Sequence, residues 1–368
     1  MAIMTKILHI VTDTNIGGTG HLLLHLLDAY DKSTFTMEVV MPENAKLTPL
    51  LAERGVTYYE VPHIADKSFS FSGITALRRL IKKVKPDIVH THGSFAGRKA
   101  ARLCGVKVVH TRHCAFPVAR WKKIFPMRQM LGLINNSLSD LIIAISPAAA
   151  ENLIDMGTKK SKIRTLFNGT PPVREYSQEE ISEIRKKYNI PPDAFTMPIF
   201  ARLTEVKGHD DILDAAKIAP EVLILMAGVG DRQAHLEERI QTEGICNVRL
   251  LGFIEDVDEL IAATDALVNA AFGTETSCLP LLKGMSAGKP SVVSDYGGNP
   301  YLIEDRVNGL IFPTRDTKAM AAAIKRLMSD TELYQRMSTE ARKVYKERFT
   351  DKKMASDTEA VYMEIVQK

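Results

Sequence analysis

The chain has 368 residues, 45% hydrophobic and 25% charged with a net charge of +4; this excludes disordered and fibrous classes and allows about two ordinary domains. Charge is uneven: residues 1–170 hold 23 Lys and Arg against 12 Asp and Glu, a net +11, and the remainder 25 against 32, a net −7, so the first half points to an anionic partner. No run reaches the roughly 18 apolar residues of a membrane span, the start MAIMTKILHIVTDTN lacks a secretion-signal pattern, and Cys104, Cys114, Cys246 and Cys278 are scattered, so free thiols and a cytoplasmic location are expected.

In chain order, apolar or β-branched runs at 7–11, 37–41, 88–90, 106–110 and 141–145 alternate with helical patterns at 21–30, 74–84, 95–103 and 147–156. Residues 1–170 therefore read as a parallel α/β domain. Asn15-Ile16-Gly17-Gly18-Thr19-Gly20 follows the first strand and opens a helix, where backbone N–H groups can approach a phosphate; an ordinary βα turn has the same look. Arg78, Arg79, Lys82, Lys83 and Lys85 share a helix and its exit, and Arg120, Trp121, Lys122, Lys123 and Arg128 form a second basic cluster. Both are candidates to meet an anionic lipid surface at the inner face of the cell membrane, with a solvated helix face as the plain alternative and no nucleic acid expected. His90, His92, His110 and His113 follow two strands. Zinc is not favoured, because the alternation puts His90 and His92 on one face and His110 and His113 on different ones, and packing is the default for His90 and His110.

Asn168-Gly169-Thr170-Pro171-Pro172 interrupts the pattern, and residues 171–195 read as a linker or surface helix. Strand patterns resume at 197–200, 222–226, 248–250, 266–269 and 291–293, giving a second α/β domain over 196–350. Arg202 and Lys207, in ARLTEVKG, follow its first strand, at the end where α/β ligands bind. Gly228-Val229-Gly230-Asp231 and Gly252-Phe253-Ile254-Glu255-Asp256 follow the next two. Residues 317–347 and 352–367 are amphipathic helical patterns, and 351–368 is expected to pack back on the first domain.

Residues 272–300 read FGTETSCLPLLKGMSAGKPSVVSDYGGNP. Pro280 suits a helix's first turn and Thr276 or Ser277 can cap it; Leu279, Leu282, Met285 and Ser286 recur at helical spacing, Gly288 can end the helix, and 291–293 leads to Gly297-Gly298. A helix mouth of this kind attracts anions.

This segment resembles the donor-sugar signature of the family-4 retaining glycosyltransferases, and the resemblance extends over nearly the whole chain. It implies an α/β GT-B fold, two Rossmann-like parallel domains facing a central cleft, with the acceptor side first and the nucleotide-sugar side second. It implies catalytic roles for His113 and Glu275 at the donor sugar and for Arg202 and Lys207 at the donor diphosphate. Gly17 and Gly18 would face the diphosphate; Gly228, Phe253 and Ile254 the nucleoside; Thr276, Ser277, Cys278 and Leu279 the donor at the helix mouth. The family's second glutamate is replaced by Lys283, and the one after the Gly-Gly turn by Tyr301. A lysine cannot accept hydrogen bonds from a ribose diol, so weakened or altered donor binding is expected.

The function implied is transfer of a hexosyl or N-acetylhexosaminyl group, from a UDP-sugar in most such enzymes, to a hydroxyl of a glycan or lipid-linked saccharide in polysaccharide biosynthesis. Configuration would be retained. No metal or other cofactor is expected. The rivals are a donor-impaired binding relative, motivated by Lys283, and a sugar-nucleotide epimerase on the same fold.

Overall fold

Thr5–Ile10 (β1), Phe35–Pro42 (β2), Tyr58–Val61 (β3), Ile88–His92 (β4), Lys107–Arg112 (β5), Leu141–Ala144 (β6) and Ile163–Thr165 (β7) pair in parallel in the order β3-β2-β1-β4-β5-β6-β7. The computed structural model describes residues 4–115 and 118–367. The order reverses between β1 and β4, and ligands of such sheets bind at the strand ends beside that switch. The glycine loop after β1 and the histidines of β4 both stand there. Helices Phe71–Val84 and Phe95–Leu103 begin with serine caps, Ser70 and Ser94, accepting from Gly73 and Gly97 N–H at 3.0 Å each. Their Leu77, Ile81, Ala100 and Ala101 pack on Leu8, Ile10, Val40, Val89 and Val108 as one buried core.

The chain divides into two compact units, Met1–Gly169 with Asp351–Lys368, and Thr170–Thr350. In the first, helix Asp351–Val366 lies against helix Gly18–Ala29. Tyr362 and Ile365 are buried, Glu364 takes two bonds from Arg164 (2.8 and 2.5 Å), and Glu359 accepts from the Asp31 N–H.

The second unit pairs Phe195–Phe200 (β8), Val222–Ala227 (β9) and Val248–Gly252 (β10) in the order β10-β9-β8, and Leu267–Asn269 (β11), Ser291–Ser294 (β12) and Gly309–Phe312 (β13) in the order β11-β12-β13. The Asp265 N–H donates to the Thr196 carbonyl at 2.9 Å, which sets β11 beside β8. Met197, Ile199, Ile224, Met226, Val268, Val292 and Leu310 share one core with Ile212, Leu213, Ile324 and Met337.

Some details differ from the sequence reading. β3, β7 and β13 were not anticipated, being three or four residues each, too short for alternation to show, and neither was helix Met127–Leu138. The pattern over 317–347 is two helices, Thr317–Ser329 and Thr331–Arg348; Asp330 ends the first and caps the second through the Leu333 N–H. Within 171–195 the surface-helix reading holds: Gln178–Lys187 is a helix with a Ser177–Glu180 capping box, and its Arg185 donates to the carbonyls of Ala263, Pro191 and Ala194 in the same unit.

Candidate functional site

In the second unit β8 ends at Phe200, and the chain turns through exposed Arg202 and the short helix Glu205–Lys207 to Gly208. Gly208 has φ +74°, and a Cβ there would lie 2.1 Å from the Ala270 carbonyl oxygen. Only glycine allows this approach, which brings Lys207 to the end of β11. Lys207 Nζ donates to the Thr274 carbonyl at 2.7 Å and to Glu275 Oε2 at 3.0 Å; the same oxygen accepts from Asn269 Nδ2 at 3.1 Å. Lys207 and Glu275, expected to meet different parts of a donor, thus pair with each other, their side chains 17% and 9% exposed. Arg202 makes none of these bonds.

The second glycine turn clamps this loop from outside. Gly297 and Gly298 would place a Cβ 2.2 and 1.9 Å from the carbonyl oxygens of Glu275 and Thr276, and the Gly298 N–H donates to the Glu275 carbonyl at 3.0 Å. Asn299 links β11 to β12 by donating to Asn269 Oδ1 at 3.5 Å and to Ser294 Oγ at 3.2 Å. The helix that follows the loop is Leu279–Ser286, with Pro280 in its first turn, and Gly288 at φ +69° just past its end.

Neither Thr276 nor Ser277 caps this helix. Cys278 occupies the cap position without a side-chain cap bond, and Ser277 Oγ is buried without a partner; the loop's curvature around Gly297-Gly298 carries Thr276 and Ser277 out of cap position. The first-turn N–H groups are therefore without a side-chain cap, as an anion site requires. Burial pushes the Cys278 thiol up to about 12, with Glu275 adding to it, so it is neutral and not a nucleophile near neutral pH. Leu281 and Leu282 are buried, whereas Leu279 at the mouth is half-buried.

Lys283 is not a loose cation in a nucleotide pocket. Its Nζ lies 2.7 and 2.9 Å from the two oxygens of Asp258, on helix Val257–Ala262, with side chains 13% and 24% exposed. Sequence reasoning missed Asp258 because the partner lies 25 positions away. Phe253 is 75% exposed and Ile254 half-buried beside it. Gly228 would place a Cβ 2.0 Å from the Ala201 carbonyl oxygen, so its first requirement is packing of the β8 and β9 ends.

In the first unit, β1, β4 and the end of β5 set His9, His90, His92 and His113 on one sheet face, and His110 faces the other, bonded to Thr91. His113 thus joins His90 and His92. His9 Nδ1 lies 3.0 Å from His92 Nε2, and His92 Nδ1 lies 2.9 Å from His113 Nε2, with His9 and His113 each stacked on His92. His90 instead bonds Tyr362 Oη at 2.6 Å and Thr111 Oγ1 at 2.7 Å, the packing role expected for it. A cavity of about 40 Å³ lies along Leu22, Leu23, Leu26, His90, His92 and His113. Sequence reasoning missed His9; a single histidine inside an apolar strand was its only sign.

Burial holds His9 down at about 3 and His113 at about 4, the latter with Arg112 adding to it, so both rings are neutral and each hydrogen bond carries one proton. If His9 donates to His92 and His92 to His113, the unmatched group at His9 Nε2 is an acceptor. The reverse order leaves an N–H stranded there and an acceptor at His113 Nδ1, so either direction leaves one buried N–H unmatched. The first order puts that unmatched N–H on His113 Nδ1 instead. His9, His90 and His92 bring one nitrogen each within 4.8 Å of one another. Hydrogen bonds already use the facing nitrogens of His9 and His92, and among the described residues no carboxylate joins the group to offset a cation's charge.

Gly17 precedes helix Gly18–Ala29 with no side-chain cap, and a Cβ at Gly17 or Gly18 would meet nothing within 4 Å. Arg78, Arg79, Lys82, Lys83 and Lys85 are exposed. In the second cluster Lys123 is paired with Asp155 and Lys122 lies over the Trp121 ring, while Trp121, Ile124, Phe125 and Leu133 are more than half exposed. No helix among the described residues is long and apolar enough to cross a membrane.

A family model described as "Glycosyltransferase Family 4" matches residues 16–174 and one described as "Glycosyl transferases group 1" matches residues 180–344. The chain is 25% identical over 346 residues to the Escherichia coli UDP-Gal:alpha-D-GlcNAc-diphosphoundecaprenol alpha-1,3-galactosyltransferase, covering 89% of each, and 26% identical over 240 residues to the Bacillus anthracis N-acetyl-alpha-D-glucosaminyl L-malate synthase, covering 62% and 60%. In structure it matches Anabaena Alr3699/HepE in complex with UDP and glucose with TM-score 0.84 at 20% identity, covering 98% and 99%.

Proposed function

The chain belongs to the family-4, group 1 glycosyltransferases and has their GT-B fold, and from that premise we propose that it moves a sugar from a UDP-sugar to a hydroxyl of a glycan or lipid-linked saccharide, with retention and without a metal. The observation that carries the donor half is the Lys207–Glu275–Asn269 knot beside the uncapped mouth of helix Leu279–Ser286. As the bond from the anomeric carbon to the diphosphate breaks, negative charge gathers on phosphate oxygen. Arg202, Lys207 and the helix N–H groups stabilise that charge in place of a divalent ion. Glu275 holds sugar hydroxyls, His113 contacts the transferred sugar, and the acceptor hydroxyl attacks from the face the diphosphate leaves, its proton passing to leaving-group phosphate.

Two features of this chain refine the reading. Asp258, held by Lys283, supplies the carboxylate for the ribose diol that the family carries at position 283, which favours a competent donor site over an impaired one. The exposed Trp121, Ile124, Phe125 and Leu133 beside Arg120, Lys122 and Arg128 suit reversible seating on an anionic bilayer, each cation near the surface contributing about 1 kcal/mol, where a lipid-linked acceptor would be met. The location proposed is the cytoplasmic face of that membrane.

The test is calorimetric titration of UDP, GDP and NAD into the natural protein and Lys207→Ala, with turnover followed in chelator. UDP binding lost in Lys207→Ala and activity unaffected by chelator are expected. Preferential binding of GDP would change the donor class, and binding of NAD alone would overturn the transferase mechanism. Sedimentation with anionic and neutral vesicles tests the membrane step; equal recovery in both supernatants at low salt removes it.

A further inference from the structure

Arg98, on helix Phe95–Leu103, is 7% exposed, and Arg112, at the end of β5, is half-buried. Neither enters an ion pair among the described residues. Arg98 Nη1 donates to Asn135 Oδ1 at 3.1 Å, and Arg112 Nη2 reaches Asn152 Oδ1 at 3.5 Å, a long contact. The Nε–H of each guanidinium is buried without a partner.

The two cations are close enough to act on one another and on a third group. Burial, and then Arg112, brings the Arg98 guanidinium down to about 10; burial followed by Arg98 and Arg112 keeps His110 neutral. A protein does not ordinarily bury cations beside one another with donors to spare, because each loses its hydration without a counter-charge. Other arginines of this chain are matched, Arg164 and Arg239 by carboxylates and Arg185 by three carbonyls. An unmatched pair on the C-terminal side of a parallel sheet has the form of a site completed by its ligand.

We propose that Arg98 and Arg112 form an anion site in the first unit that takes a phosphoryl group carried by the acceptor. The assignment rests on the transferase reading for the word acceptor, and on the unmatched guanidiniums for the anion. Two fixed positive charges match a doubly charged phosphoryl better than a single carboxylate, and the guanidinium fork presents paired N–H groups to its oxygens. The acceptor would then be a sugar phosphate or diphosphate in place of a neutral glycan end.

The experiment is calorimetric titration of inorganic phosphate into the full chain with UDP present in excess, so that the donor site does not report. The natural protein should bind phosphate, Arg112→Gln should weaken binding about tenfold or more, and UDP affinity should be the same in both. Arg98→Gln should do likewise; should that variant fail to fold, the half-exposed Arg112 carries the decision. Equal phosphate binding by natural protein and Arg112→Gln, or no binding by the natural protein, overturns the site. Acetate competing as well as phosphate overturns the phosphoryl assignment. If UDP itself does not bind, the transferase reading fails, and the phosphate titration on the free chain still reads the arginines.

Discussion

Lys283 looks adverse in sequence, where it stands in place of a carboxylate, but in the structure it is paired with Asp258 at 2.7 Å, and on the reading proposed above that pair brings a carboxylate from helix Val257–Ala262 to the donor. Lys283→Glu should therefore set two carboxylates against each other and weaken UDP binding, and the exchange Lys283→Glu with Asp258→Lys should recover most of it. Titration of the three variants decides this, because a gain of affinity in Lys283→Glu alone would mean that Asp258 does not serve the nucleotide. His9 and His92 argue the same way for a buried row. His92→Phe removes both bonds of the relay and should lower kcat about tenfold or more, yet add little in a His113→Ala background. Losses that add in full would make the row structural. The types and positions of His113, Arg202, Lys207 and Glu275 stood out because they sit in motifs. His9 and Asp258 did not, since their meaning comes from neighbours 83 and 25 positions distant.

At the scale of elements, strands with uninterrupted apolar runs and helices opened by serine were legible, because period and cap chemistry act within a few residues. Short edge strands and the break at Asp330 were not, because their reasons lie in pairing and in a single cap. The donor loop combines both kinds. Its glycines are visible in sequence, but only the structure shows Gly297 and Gly298 pressed on the carbonyls of Glu275 and Thr276. A methyl at Gly298 would stand 1.9 Å from an oxygen, so the loop must shift. Gly298→Ala should cost donor affinity more than stability, read as a calorimetric loss of about tenfold with a melting temperature lowered by a few degrees. A large fall in melting temperature with donor affinity kept would assign the turn to folding alone.

Across the whole molecule, the two units meet acid differently. His9, His90, His92, His110 and His113 are all held below their ordinary range, first by burial and, save His9, also by neighbouring cations or histidines. Below pH 6.5 the unfolded first unit takes up protons that the folded one refuses. Stability is complete above that pH and declines as pH falls toward 4, by about 1.4 kcal/mol per pH unit for each such histidine. The second unit has one such histidine, His209, held at about 4 by burial. Its Asp210 is pushed up by burial but brought down to about 2 by Arg232, His235 and Arg239, so that contribution is lost only between about pH 3.8 and 2. Hydrogen exchange at pH 7, 6 and 5 should show amide protection lost first in residues 5–165, and equal loss in both units would refute the assignment. The helix Asp351–Val366, which brings Tyr362 to His90, carries a different consequence. On the ribosome, residues 170–350 can finish their own unit while the first unit still waits for a helix not yet made. The earlier-translated unit thus lacks, until the chain is nearly complete, the helix whose Tyr362 bonds His90.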